Sequence, residues 1–385
     1  MDFGVPLERH RTEHRVGLTP RGVRILTDLG HRVFVETGAG EACRFPDAAY
    51  REAGAEVVFR KEEVYRRGQV VLGVSAPTME EIALTSEGQL ILAFWHLAVA
   101  PKALVAEMNN RRLSAIGFEM VEIDGQHRPV LHAMSELAGQ MTIQTAAHLL
   151  QRESGGRGIL LGPSPGIPPA TVLILGAGTV GRAAAKAAVG TGAHVIVLDK
   201  DLEKLNGILD EFGGRVVTST ADRDNIARYV QFADVLVGAV LVPSGAHAPY
   251  LVTKEMVATM RAGSVIIDVS IDQGGCIETS RPTTIDDPTF IFADVVHYCV
   301  PNMTANIPRT ASKALTHAHI GYIEQIAHDG IEGALVKAPA LAAGTYMYRG
   351  TVTQQTIASL FGLEYRSVGS ILGSGTGPGG GEGRF

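Results

Sequence analysis

The chain has 385 residues, 45% of them hydrophobic and 19% charged, with 45 glycines and a formal net charge of −6. That length exceeds what one hydrophobic core usually fills, so two domains are expected, each burying a core of its own. The composition is that of a compact α/β enzyme, and an acidic balance without any Lys/Arg block gives no grip on a nucleic-acid backbone or an anionic membrane.

From Phe3 onward, short β-rich runs alternate with helical segments. Thr19-Pro20 starts a helix and Gly30 stops it, ahead of a strand over Arg32–Glu36. Further strands are expected over Ala55–Phe59, Gln69–Val74, Leu90–Phe94 and Ser114–Phe118, which makes a first, mostly parallel sheet. Ser135–Glu153 reads as one long helix, and the Gly/Pro-rich loop GGRGILLGPSPGIPPA after it marks the crossover to a second domain. A second βα series has strands over Thr171–Leu175, His194–Leu198, Arg215–Thr218, Asp234–Ala239 and Ser264–Val269, doubly wound in pattern. After Pro308, a long amphipathic segment over Ala311–Gly330 and a helix near Thr353–Phe361 are expected to return to the first domain. The division is then a first domain of residues 1–130 and about 308–365 and a second of 131–307, whose doubly wound pattern is that of a Rossmann domain. Residues 366–385 form a Gly-rich tail, expected to be disordered because GSGTGPGGGEG has almost nothing to bury.

Cys43, Cys276 and Cys299 form no C-x-x-C pair and are odd in number, which suggests neither a disulfide framework nor a metal site, and reduced thiols in a cytoplasm are expected. The longest apolar run, around Leu90–Ala100, is too short to span a membrane, and the N-terminus opens directly on a strand-like segment, so a soluble, unprocessed protein is expected.

The strongest local signal is VLILGAGTVGRAAAKAA, where an apolar strand runs into Gly176, Gly178 and Gly181 and then into an Ala-rich helix. Gly176 permits the tight turn, Gly178 removes the side chain that would block a pyrophosphate, and Gly181 lets helix and strand pack closely. The N–H groups of Thr179 and Val180 at the helix start face the anion. About twenty residues on, the next strand ends at Asp199, whose carboxylate can accept from both ribose hydroxyls and so favours NAD over NADP.

Ligands of a doubly wound sheet sit beyond the carboxyl ends of its strands. His96 closes LILAFWH, Ser75 closes VVLGVS, Asp272 follows SVIIDVS, and Arg15 lies in the loop before the first helix. A guanidinium suits bidentate capture of a carboxylate, and an imidazole suits proton transfer to an amine or hydroxyl. Taken singly, each is as well explained by an ordinary role: a structural histidine, a surface cation, a loop cap.

Arg15, His96 and Asp272 fall within a series of segments, HRVGLTP (14–20), VETGAGE (35–41), HLA (96–98), MSELAGQ (134–140), GGRGILLG (155–162), GAVLVP (238–243), DVSIDQGGCIETSRPTT (268–284) and HYCVPNM (297–303). In that order and spacing, over roughly residues 1 to 365, the chain resembles the alanine dehydrogenase and pyridine nucleotide transhydrogenase family, its alanine dehydrogenase branch best. The resemblance implies substrate-carboxylate binding by Arg15, acid/base catalysis by His96, and a catalytic-pocket role for Asp272, with Asn302 beside nicotinamide and substrate. It also implies NAD contacts from Ser135, the glycine turn, Asp199, Val240 and Leu241, with Thr220 on the adenosine side, and a homo-oligomer, a hexamer in that branch. The expected reaction is oxidative deamination of L-alanine or a related small L-amino acid to a 2-keto acid, and its reverse.

One position departs. That branch reads approximately VKEP where this chain reads VSAP, so Ser75 replaces a lysine that helps hold the keto acid. Losing one charge-assisted hydrogen bond is worth on the order of 1.5 to 3 kcal/mol, which points to a changed substrate. Two alternatives follow: reduction or reductive coupling of a different imino or keto acid with an added amine, and a non-catalytic NAD-binding oligomer.

Overall fold

The computed structural model describes residues 1–8, 12–125, 127–241 and 248–373. It divides into two compact units, Met1–Ala133 with Ile307–Phe385, and Met134–Asn306. Among the described residues the strands are β1 (Asp2–Val5), β2 (Arg32–Glu36), β3 (Glu56–Val58), β4 (Val70–Ser75), β5 (Leu90–Phe94), β6 (Ser114–Gly117), β7 (Thr171–Leu175), β8 (His194–Asp199), β9 (Val216–Thr220), β10 (Val235–Gly238), β11 (Val265–Asp268), β12 (Thr289–Phe292), β13 (Val295–Tyr298), β14 (Thr345–Tyr348) and β15 (Thr351–Val352).

The first unit holds one sheet in the order β15-β14-β6-β5-β4-β1-β2-β3. Its six N-terminal strands pair in parallel, while β14 joins β6 antiparallel and turns back through β15. Strands covered on both faces read as unbroken apolar runs, and Val70–Val74 and Leu90–Ala93 are buried throughout. On one face Ile91, Ala93 and Ala115 pack with Leu104, Met108, Met347 and Ile357. The helix Pro20–Asp28 begins with proline in its first turn, and Gly30 beyond its end takes φ +83°, a left-handed conformation that favours glycine.

The second unit holds a sheet in the order β12-β13-β11-β10-β7-β8-β9, parallel except for β12. Leu173, Leu175, Ile196, Leu198, Leu236 and Ile266 form part of its core. In both sheets the chain builds outward from one strand, returns, and builds the other way, so each has a switch point, between β1 and β4 in the first and between β7 and β10 in the second.

Several expected boundaries shift. The long helix runs over Pro129–Leu149, six residues earlier than expected, because Pro129 is well suited to a first helical turn, and Arg152–Ser154 forms a separate short turn. The helix after Pro308 continues to Lys337 through a break at Gly330, whose φ of 73° and ψ of 170° interrupt the hydrogen-bond ladder. The expected disorder from residue 366 is corrected for Val368–Gly373, which is helical: Val368 is buried, and the Ser367 hydroxyl accepts the N–H of Ser370 at 3.1 Å. The rest of the tail, 374–385, lies outside the described residues.

Candidate active site

In the first unit, the loop after β1 carries Arg15, and three residues of the helix Pro308–Lys337 hold that loop. The Ser312 hydroxyl accepts the Val16 N–H at 3.0 Å, the Thr316 hydroxyl accepts the Thr19 N–H at 3.1 Å, and His319 Nε2 lies 2.9 Å from the Gly17 carbonyl. Positions 312, 316 and 319 recur at helical spacing and so face one way. Arg15 is 4% exposed. Its Nε and one terminal nitrogen donate to the two oxygens of Glu13, each at 2.7 Å, a fork that fixes the plane of the guanidinium. The guanidinium carbon lies 5.9 Å from the centre of the Phe94 ring, at the end of β5.

Ser75 ends β4, across the switch point from that loop. Its hydroxyl lies 3.5 Å from Glu13 Oε2, a long contact, and its N–H donates to Glu8 Oε2 at 3.2 Å while the Val74 N–H donates to Glu8 Oε1 at 2.6 Å. Burial, with Glu13 and Glu81 nearby, outweighs those hydrogen bonds and pushes the Glu8 carboxyl up to about 7. Arg15, Ser75 and the unforeseen Glu8 and Glu13 therefore form one cluster. His96 follows β5, and its ring stacks on Phe94 at 6.2 Å between centroids. Phe94 thus has both Arg15 and His96 as neighbours.

In the second unit, the glycine turn follows β7 and leads into the helix Thr179–Thr191. A Cβ on Gly176, at φ +108°, would meet the Ala239 carbonyl at 2.4 Å, and one on Gly181 would meet the Gly176 carbonyl at 1.8 Å. At Gly178 no atom of the described residues lies within 4 Å of that position. Two glycines are therefore required by the protein's own packing, and the third opens onto free space at a helix N-terminus, which fits a pyrophosphate. Asp199 closes β8 beside this turn, its carboxylate accepting from Ala177 at 2.7 Å and Asp201 at 2.9 Å. A carboxylate has about four acceptor positions, so this leaves capacity for ribose hydroxyls.

The other expected residues of this unit have local partners of their own. Gly139 in the helix Pro129–Leu149 would, with a Cβ, meet the Val180 carbonyl at 2.3 Å, and Ser135 lies four residues earlier on that face. The Val240 N–H donates to the Ser270 hydroxyl at 2.9 Å, which ties the loop after β10 to the one after β11, and the next residue, Leu241, is 62% exposed. Asp272 and Asn302, both exposed, are brought together, the Asn302 N–H lying 3.3 Å from Asp272 Oδ1. Thr220 ends β9, its exposed hydroxyl donating to Asp222 at 2.9 Å.

Part of the segment 268–284 is structural. The Asp268 carboxylate accepts the N–H groups of Ser270, Cys276 and Ile277 at 3.1 to 3.3 Å, and burial raises its pKa despite them. Cys43, Cys276 and Cys299 are free thiols and buried. Among the described residues, no helix is long and apolar enough to cross a membrane, and no three His, Cys, Asp or Glu side chains are grouped to hold a metal.

The family models named "Alanine dehydrogenase/PNT, N-terminal domain" and "Alanine dehydrogenase/PNT, C-terminal domain" match residues 4–138 and 142–355. The chain belongs to the alanine dehydrogenase/PNT family. The alanine dehydrogenase of Halomonas elongata is 40% identical to it over 373 residues, covering 97% of this chain and 100% of that protein. Alanine dehydrogenase 2 of Staphylococcus aureus strain Mu50 is 43% identical over the same shares of both chains. A solved L-alanine dehydrogenase matches with a TM-score of 0.90 and 42% identity, covering 94% of this chain and 99% of that one. Membership of the alanine dehydrogenase/PNT family implies a pyridine nucleotide cofactor, and the open Gly178 and the placement of Asp199 fit one.

Proposed function

We propose that this chain oxidises L-alanine or a related small L-amino acid with NAD, giving a 2-keto acid and ammonium, and catalyses the reverse reductive amination. The observation that carries this reading is the buried Arg15, clamped by Glu13 at the switch point of the first sheet with His96 one strand further along. Its relatives at 40 to 43% identity over their whole length are named alanine dehydrogenases. The chemistry that NAD would supply when bound is that of an acceptor for the substrate's α-hydrogen as hydride. Arg15 holds the substrate carboxylate by a fork of hydrogen bonds, and Asn302 contributes a polar contact. His96 takes a proton from the attacking water or the amine, and Asp272 orients that water. Gly176 to Gly181, Ser135, Val240, Leu241 and Thr220 are assigned to the nucleotide, with Asp199 selecting NAD. The active species is proposed to be a cytoplasmic homo-oligomer, a hexamer as in the branch it resembles.

Ser75 favours a second reading, a larger or differently charged substrate, because a short neutral hydroxyl stands where the branch has an ammonium. Purified protein with NADH, ammonium and a panel of 2-keto acids, pyruvate first, separates the two by the loss of NADH absorbance. Fast pyruvate turnover supports alanine as the substrate. Turnover only with another acid or an added amine supports the second reading, and tight NADH binding with no turnover refutes both. His96→Ala should abolish turnover and leave NADH affinity unchanged.

A further inference from the structure

His96 stands in the left-handed region, with φ 44° and ψ 44°, although it is not a glycine. Side chains are crowded in that conformation, and it persists where neighbours over-determine it. The Glu119 side chain supplies that constraint. Its Oε1 accepts the His96 backbone N–H at 2.7 Å and the Tyr346 hydroxyl at 2.9 Å. Glu119 and Tyr346 are buried while His96 is exposed, and the second carboxylate oxygen of Glu119, Oε2, has no hydrogen-bond partner among the described residues. A buried carboxylate oxygen left without a partner destabilises a fold, so stability alone does not explain this carboxylate.

Gly117 completes the arrangement. A Cβ there would lie 2.3 Å from Tyr346 Cε2 and 3.1 Å from Glu119 Oε1, so the tyrosine ring occupies the room a side chain would take. Burial, then the Glu119 charge, pushes the Tyr346 hydroxyl pKa up, which keeps it protonated and donating. The imidazole is steered from two sides, its ring by the Phe94 face and its backbone by Glu119. We infer that Glu119, oriented by Tyr346 across Gly117, is a positioning residue for His96, fixing the turn that aims the imidazole at the reacting group. The inference rests on the reading of His96 as the acid/base. It adds the C-terminal strand β14, which supplies Tyr346, to the parts on which that chemistry depends.

The test uses the full chain and the best 2-keto acid of the panel, with ammonium and NADH, on His96→Ala, Glu119→Ala, Glu119→Gln, Gly117→Ala and Tyr346→Phe. The single tryptophan, Trp95, is buried next to His96 and donates to the Ile91 carbonyl at 3.3 Å, so its fluorescence reports the turn independently of turnover. Glu119→Ala should lower kcat by about ten- to a hundred-fold, as a misplacement of about 1 Å does, and shift the Trp95 emission. KM and NADH affinity should stay within about two-fold, the pattern of an interaction that matters in the transition state. Glu119→Gln retains an oxygen acceptor and should recover both kcat and the emission, whereas Gly117→Ala, which displaces the Tyr346 ring, should reproduce part of the loss. A folded Glu119→Ala with full kcat, or a Glu119→Gln no better than it, overturns the inference. If Glu119→Ala does not fold, a Tyr346→Phe with unchanged kcat and emission overturns it instead. An active His96→Ala would remove the underlying reading as well, while an inert His96→Ala beside fully active Glu119 variants would remove the positioning role alone.

Discussion

The glycine turn makes an unusually clean prediction, because its glycines are required for opposite reasons. A Cβ on Gly181 would sit 1.8 Å from the Gly176 carbonyl oxygen, so Gly181→Ala must push helix and strand apart. Overpacking of this kind costs about 1 to 3 kcal/mol. In a unit of this size that lowers Tm by roughly 2 to 12 °C. Gly178 has no atom of the described residues within 4 Å of its Cβ position, and its φ of −73° and ψ of −169° suit alanine. Gly178→Ala should therefore change stability by less than about 0.5 kcal/mol. The added methyl group would meet the pyrophosphate, and NADH affinity should fall about ten-fold or more, equivalent to about 1.4 kcal/mol. Thermal unfolding followed by circular dichroism reads the first effect, and titration of NADH fluorescence reads the second. A Gly178→Ala protein that binds NADH like the parent would show that the nucleotide does not use this turn. A Gly181→Ala protein that melts like the parent would refute the packing argument.

Other perturbations probe the first unit. Arg15→Ala removes the cation clamped by Glu13, whose side chain is 2% exposed, and breaking such a buried pair should cost about 3 to 5 kcal/mol in urea unfolding. Arg15→Lys keeps the charge but not the fork, so the amino-acid KM should rise while NADH affinity holds; an unchanged KM would remove Arg15 from carboxylate binding. Burial lowers the His319 pKa to about 4. The unfolded chain takes up that proton near pH 6.5 and the folded one only near 4, so stability falls as pH drops through this window, by about 3 kcal/mol in all. His319→Gln should flatten the pH dependence of Tm there, and an equally steep decline would sink the assignment. Ser75→Lys places an ammonium by Glu13 and should lower the pyruvate KM about ten- to a hundred-fold, whereas no change would mean that position 75 does not meet the substrate.

The parallel core of both sheets was legible because strands buried on both faces are continuous apolar runs, and Leu90–Phe94 and Thr171–Leu175 fall where the runs are. The hairpin of β14 and β15 was not, since TYMY and TV are short and their signal is the partner β6, more than two hundred residues away in sequence. Among the site residues, the glycines and Asp199 announce themselves by spacing, because a phosphate demands that backbone. Arg15, His96 and Asp272 were found through resemblance, since a lone polar residue at a strand end has no pattern of its own. Glu13 and Glu119 escaped because what marks them is a fork onto Arg15 and a bond to a backbone N–H, contacts that only folding creates. The two-residue spacing of Glu13 and Arg15 is a weak local trace of the first.

The antiparallel seat of β14 on β6 also bears on how the chain is made. During synthesis β6 leaves the ribosome long before β14 exists, and at ordinary elongation rates the interval is roughly 10 to 45 s. For that time the first sheet carries an open edge, and the Arg15 loop lacks the Ser312, Thr316 and His319 contacts that hold it. The second unit, contiguous over Met134–Asn306, can complete its own sheet within that interval. The half that carries the glycine turn can thus be complete first, and a chain cut short near residue 306 would present an unpaired strand edge for aggregation rather than a smaller working domain.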